Sequence, residues 1–109
     1  MRSARSRSTA NRCDAVNVDG RLRDINVEIA DLRTEISILD EQIAFLNDVA
    51  DDARIRAVVS ETPLADREAT EAAGDLVRLQ RSRDEAARRI DVLLDEQDRL
   101  LERRYEETR

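Results

Sequence analysis

From Leu22 onward the apolar residues recur at alternating steps of three and four: Leu22, Ile25, Ile29, Leu32, Ile36, Leu39, Ile43 and Leu46. This is the a/d seam of a heptad repeat, which keeps one stripe of a helix turned towards a partner helix. Beyond Leu46 the seam continues as Ala50, Ala53 and Ala57, so small residues replace large ones. The pattern predicts a helix over about 20–59. Asn17 and Asp19 are suited to cap its start, because their side-chain oxygens accept from exposed amides of a first turn.

One strong break follows, Ser60-Glu61-Thr62-Pro63. A residue before proline avoids helical angles, and proline fits the first turn of a helix. A turn at 60–62 is therefore predicted, with Thr62 capping a second helix over about 63–104. Asp66 and Glu68 fall early in that helix, where its dipole favours negative charge. The second seam reads Ala69, Ala72, Leu76, Leu79, Arg83, Ala86, Ile90, Leu93, Gln97 and Leu100, with Ala73, Ala87, Leu94 and Leu101 beside it. Arg83 and Gln97 interrupt it. A polar residue in a seam commonly selects register or oligomer state; anchoring a partner is the other reading. Asp84–Arg88, Glu85–Arg89 and Asp95–Arg99 stand four apart in the acid-first order that helices prefer. Gly74 lies on the outward face, either simply tolerated there or marking a kink or a close approach.

A short turn makes consecutive long helices antiparallel neighbours. Centred on Glu61, the seams pair as Ala53–Ala69, Ala50–Ala72, Leu46–Leu76, Ile43–Leu79, Leu39–Arg83, Ile36–Ala86, Leu32–Ile90, Ile29–Leu93, Ile25–Gln97 and Leu22–Leu100. Small meets small beside the turn and large mostly meets large farther from it. A register shifted by one heptad keeps a facing d but moves the midpoint past Pro63, and is the weaker alternative. The expected fold is thus all-α: a coiled-coil helical hairpin of two long antiparallel helices.

Such a hairpin leaves apolar surface unspent. Ile38, Phe45 and Val49 lie off the first seam, Ile55, Val58 and Val59 off it towards the turn, and Val77, Leu94 and Leu101 off the second. A second partner is expected. Symmetric dimers are the commonest oligomers, so a homodimer forming a four-helix bundle is the simplest cover, with Ile38, Phe45, Val49, Leu94 and Leu101 as its surface.

Composition narrows the function. Charged residues make up 40% of the chain and aromatic residues 2%, which suits helices that bury stripes rather than a large globular core. The net charge is −6. Arg2, Arg5, Arg7 and Arg12 exceed Asp14 and Asp19 near the start, so the rest is more acidic still. An acidic body argues against broad duplex binding. Residues 1–18 read as a disordered Arg/Ser-bearing tail, or as a stretch ahead of a true translation start at Val16 or Val18. Nucleic acid would bind this tail only weakly, since no aromatic lies in it to stack on bases. No apolar run suits a bilayer span or a secretory signal core, and a cytoplasmic location is expected.

No His and no Lys occur, and Cys13 is the one cysteine. This removes the usual general base, the usual metal ligands and amine nucleophiles. Cys13 reads as an exposed thiol, with a disulfide between two copies as the alternative. No cofactor, metal or catalytic residue is expected. The one suggestive acidic group is Asp48, Asp51 and Asp52 with Glu61, Asp66 and Glu68. It reads first as a solvated face and second as a seat for a hard cation.

That acidic tip resembles, in architecture only, the hairpin of Gre-type transcript-cleavage factors, which places acidic residues in an RNA polymerase channel. The resemblance would imply a transcription-associated factor, but the family's globular domain has no counterpart here. Leu22-Arg23 through Leu46, with Pro63 and Asp66-Arg67-Glu68, is also similar to segments of helical chorismate mutases. Those enzymes use a Lys that this chain lacks. Ile55 to Glu71 is similar to small uncharacterised actinobacterial coiled-coil proteins, and the Arg-only basic composition agrees with such a source; no activity follows from that likeness. The expected function is a non-enzymatic protein-interaction or scaffolding module. Ser60, Glu61, Thr62, Pro63, Asp66 and Glu68 form its candidate partner-binding tip, and the polymerase-directed factor is the competing reading.

Overall fold

The structure, a computed structural model, describes residues 2–108, with side chains described from Asn17 to Thr108. The expectations for Arg2, Arg5, Arg7, Arg12 and Cys13 in the tail lie outside those described side chains. Helix α1 spans Arg2–Ser60 and helix α2 spans Pro63–Glu107; α1 thus starts ahead of Asn17 and Asp19, which lie within it and do not cap it as the sequence suggested. No strand occurs among the described residues. The fold is a helical hairpin.

The link is two residues long, Glu61-Thr62, and each has a distinct task. Glu61 has φ 51°, the left-handed conformation in which helices often end. Its N–H donates to the Ala57 carbonyl at 3.1 Å, which satisfies one of the orphan acceptors of the last turn. Thr62 then caps α2: its Oγ1 accepts from the Ala65 N–H at 3.2 Å, and its carbonyl accepts from the Asp66 N–H at 3.1 Å. The cap matches the sequence expectation. The left-handed residue does not announce itself, because Gly or Asn usually fills that place and glutamate pays a steric cost there. Glu61→Gly should therefore raise stability by about 0.5–1 kcal/mol, the relief of strain being partly offset by a freer unfolded chain. Thermal unfolding reads this directly. A lower melting temperature for the glycine variant would mean that the Glu61 side chain stabilises the turn by a contact of its own.

Contacts divide the hairpin into two units: a terminal unit of Met1–Asp31 with Arg89–Arg109, and a turn unit, Leu32–Arg88. In the terminal unit the seam is well covered. Ile25 and Leu93 are fully buried, and Val18, Leu22 and Ile29 are buried as well. Val18 extends the seam by one d position ahead of Leu22.

Polar side chains close over this core on both sides. On one side Arg21 makes a bidentate pair with Glu96, Nε to Oε2 at 2.6 Å and Nη2 to Oε1 at 3.0 Å. Arg89 Nε donates to Glu28 at 2.9 Å, so Arg89 reaches across to α1 rather than along α2 to Glu85. All four residues occupy g positions. On the other side Gln97 Nε2 donates to Asn26 Oδ1 at 2.7 Å, and Arg104 pairs with Asp19 at 2.7 Å. Here an a position of α2 meets an e position of α1.

The g pairs decide the register. With Glu61 at the midpoint, Arg21 faces Glu96 and Glu28 faces Arg89. A shift of one heptad past Pro63 would set Arg21 against Arg103 and Glu28 against Glu96, like against like. The observed pairs belong to the register centred on Glu61.

The hydrogen bond from Arg21 is the first cause that holds the Glu96 carboxyl below its ordinary range, and the same bond raises the Arg21 guanidinium. A carboxyl depressed on folding adds stability above its unfolded value, and that addition is lost as pH falls through the folded value. The contribution of Arg21–Glu96 should thus persist at neutral pH and vanish in acid, below the usual carboxylate range. Melting curves of wild type and Glu96→Gln should differ at neutral pH and converge on acidification. A constant gap down to the acid limit would contradict this.

The turn unit is built more thinly. Leu39, Ala53, Ala65 and Ala86 are its buried residues. Leu32, Ile36, Ile43, Leu46, Leu76 and Leu79 hold their seam positions but are only half-buried. The cause is composition, since α2 sets Ala69, Ala72, Ala73, Ala86 and Ala87 along this unit. Arg83 Nε donates to Asp40 Oδ1 at 2.8 Å, again from a to e. That hydrogen bond is the first cause raising the Arg83 guanidinium above its ordinary value. Gly74 has room: an added Cβ would meet only Arg78 Nη1, at 3.6 Å, an ordinary contact. Nothing within the chain therefore demands glycine at that position.

Candidate functional site

The turn unit holds the surface on which function can be sought. Along α1, Ile38, Gln42, Phe45 and Val49 recur at steps of four, three and four, which is a second seam beside the first. Together with Ile36, Leu39, Ile43 and Leu46, the apolar members Ile38, Phe45 and Val49 spread apolar positions over nearly half the circumference of this stretch, interrupted by the exposed Gln42. A helix packed on one neighbour needs a stripe only somewhat wider than 100°. Ile38 is 51% exposed and Phe45 68% exposed, while Val49 is half-buried. Phe45 forms the lip of a shallow cleft of ≈ 450 Å³, lined with Glu41, Gln42, Leu46 and Leu79. Its walls are mostly apolar, and the half-buried Leu46 and Leu79 form its floor.

The charge around this stripe is one-sided. Glu35, Glu41, Asp48 and Asp52 border it on α1, and all are exposed. None of these four carboxylates takes part in an ion pair among the described residues. Some carboxylates elsewhere are engaged: Asp19, Glu28, Asp40, Asp51, Asp75 and Glu96 each pair with an arginine. Others, Glu61, Asp66, Glu68 and Glu71 among them, resemble the four in taking part in no ion pair among the described residues. Of the α1 arginines in the turn unit, Arg54 lies with Asp51 and Arg33 holds an e position on the other side, leaving Arg56 at the end of the stripe.

The other residues singled out from the sequence fall in different places. Leu94 is half-buried and Leu101 exposed, both on α2 in the terminal unit, whereas Ile38, Phe45 and Val49 are on α1 in the turn unit. A polar cleft of ≈ 390 Å³ in the terminal unit includes Leu101 beside Asn26, Gln97 and Arg104. At the tip, Ser60, Glu61, Thr62, Pro63, Asp66 and Glu68 are all exposed. Thr62 is occupied as a cap, and the Asp66 carbonyl accepts from Thr70 Oγ1 at 3.0 Å. Ile55, Val58, Val59 and Leu64 are exposed around them, so the tip is apolar as well as acidic. Leu64 escaped the sequence reading because it follows proline and belongs to no seam. Among the described residues no group of three or more His, Cys, Asp or Glu is placed to hold a metal ion. Also among them, no helix is long and apolar enough to cross a membrane.

Comparison with protein-family models, with curated proteins and with solved structures gives no significant match.

Proposed function

We propose that this protein is a non-enzymatic helical interaction module whose turn unit is completed by a partner. The observation that carries this reading is the contrast in cover. Of the leucine and isoleucine seam residues, four of six in the terminal unit are buried outright, against one of seven in the turn unit, where the other six stay half-buried beside an exposed Ile38 and Phe45. Fully burying a side chain of that kind contributes about 1.5–3 kcal/mol. A partner that closes over the stripe has a driving force already present in the free protein, and this supports a scaffolding or adaptor role.

The test uses the full chain as bait in a lysate of its source, beside the Phe45→Asp and Ile38→Asp variants. Both residues are exposed, so circular dichroism and melting temperature should stay close to wild type. Proteins retained by wild type should be lost with both variants. Identical retained sets for wild type and variants, with the helices intact, would sink the reading.

A further inference from the structure

Resting on the interaction reading, we infer that the Ile38–Val49 face of α1 takes a basic amphipathic helix. The face supplies both halves of what such a helix needs. Its apolar surface is the exposed Ile38 and Phe45 with the half-buried Val49, and the half-buried Leu46 and Leu79 floor the cleft beside Phe45. The spacing, two to three helical turns, suits an incoming helix with apolar residues at the matching i, i+3 or i+4, and i+7 places. Its border is Glu35, Glu41, Asp48 and Asp52, exposed and without ion pairs among the described residues. The g positions of α2 that flank the same side in this unit are Glu68, Asp75 and Ser82, which add no positive charge; Asp75 engages Arg78. Two cations lie at the rim, Arg56 at the end of the stripe and Arg78, which is engaged by Asp75.

This charge pattern selects among occupants. A second copy docked through the same face about a two-fold axis would bring the acidic rim of Glu41 and Asp48 against the same rim of the other copy. Like charges at a shared rim disfavour that pairing, while opposite charges hasten encounter and reject wrong partners. A helix with Arg or Lys beside its apolar stripe meets both demands, and an acidic or neutral helix meets only the first.

Two synthetic peptide probes test this, each about four helical turns long with leucine at heptad a and d positions. One carries lysine and arginine at the flanking positions and the other glutamate. Binding of each labelled peptide to the full chain is followed by fluorescence anisotropy, and the oligomeric state of the free chain by sedimentation. The basic peptide should bind at least about ten-fold more tightly than the acidic one, with the margin shrinking as salt rises. Phe45→Asp should abolish binding. Glu41→Arg with Asp48→Arg should reverse the preference while leaving the helical signal unchanged. Equal binding of the two peptides, or a preference that survives the charge reversal, would overturn the inference. So would a free chain that sediments as a dimer and is dissociated by Phe45→Asp, since the occupant would then be a second copy. If capture from lysate still depends on Phe45 while the peptides show no charge preference, the interaction module stands and the basic partner falls.

Discussion

Truncating Leu93 to alanine should lower the free energy of unfolding by about 3 kcal/mol, within the usual range for a buried leucine. Leu93 is fully buried, and its layer mate Ile29 is buried too. Around them, Arg21–Glu96 and Glu28–Arg89 cross between the helices. The lining cannot collapse easily onto the space left behind, so a cavity cost adds to the lost transfer energy. Leu79→Ala provides the comparison. Leu79 is half-buried and borders an open cleft, so the removed atoms leave no closed cavity and the cost should be about half as large or less. Urea unfolding of the two variants reads the difference. Equal losses would mean that the turn unit is as tightly covered in solution as the terminal unit, and the contrast behind the functional proposal would disappear. Ile36→Asp places a charge in a half-buried seam position and should disrupt the turn unit; a fully helical, cooperative variant would count against the seam as drawn.

The opposite sign is expected when the polar seam residues of α2 are replaced. Arg83→Leu and Gln97→Leu together should raise stability by about 2 kcal/mol, roughly 1 kcal/mol for each half-buried leucine gained. The interactions given up are modest. Arg83 and Asp40 have side chains 40% and 51% exposed, and an ion pair that open to water contributes about 0–1 kcal/mol. The bond from Gln97 to Asn26 is exposed as well, and Asn26 can turn to water once its partner is gone. The two sites share no partner, so their effects should add. The urea midpoint should rise with the slope unchanged. What is lost is selectivity: an uninterrupted leucine and isoleucine seam accepts other registers and other copies, and sedimentation should reveal association. A destabilised double variant would show instead that these polar pairs contribute more than the apolar contacts that replace them.

Much of this architecture is legible in the residues themselves. Heptad spacing from Leu22 to Leu46 and from Ala69 to Leu100 places both seams, and every residue of both is buried or half-buried. Thr62-Pro63 locates the turn, because proline constrains its neighbour as well as itself. Three features were harder to read. Glu61 adopts a conformation usually left to glycine, dictated by the geometry of a two-residue link rather than by its own preference. Val18 and Ala65 are buried at the two limits of the seam, where periodicity alone does not say how far pairing runs. The partners of Arg21, Glu28, Arg89 and Glu96 were hidden by looking along each helix, where four-apart pairs are conspicuous; comparing g positions between helices reveals them. The stripe of Ile38, Phe45 and Val49 is visible in the spacing; Leu94 and Leu101, named with it, belong to the other unit. Which partner covers the stripe depends on rim charge, and that needed exposures and ion pairs to assess.

The two-residue turn also bears on how the chain folds. The layers nearest Glu61 join residues close in sequence, and each successive layer closes only a slightly larger loop once the previous one has formed. The entropy of closure is therefore met in small steps, as in other folds dominated by progressive local contacts. Alanine layers beside the turn, however, discriminate poorly between neighbouring registers. The charges that a shifted register would set like against like, Arg21 with Glu96 and Glu28 with Arg89 in the native pairing, are among the contacts most distant in sequence. A chain that zips out of step meets repulsion only late, and must reopen. Refolding of a variant with these four charges neutralised should begin as fast as wild type yet accumulate misaligned hairpins, so that the ion pairs act as a proofreading step in assembly.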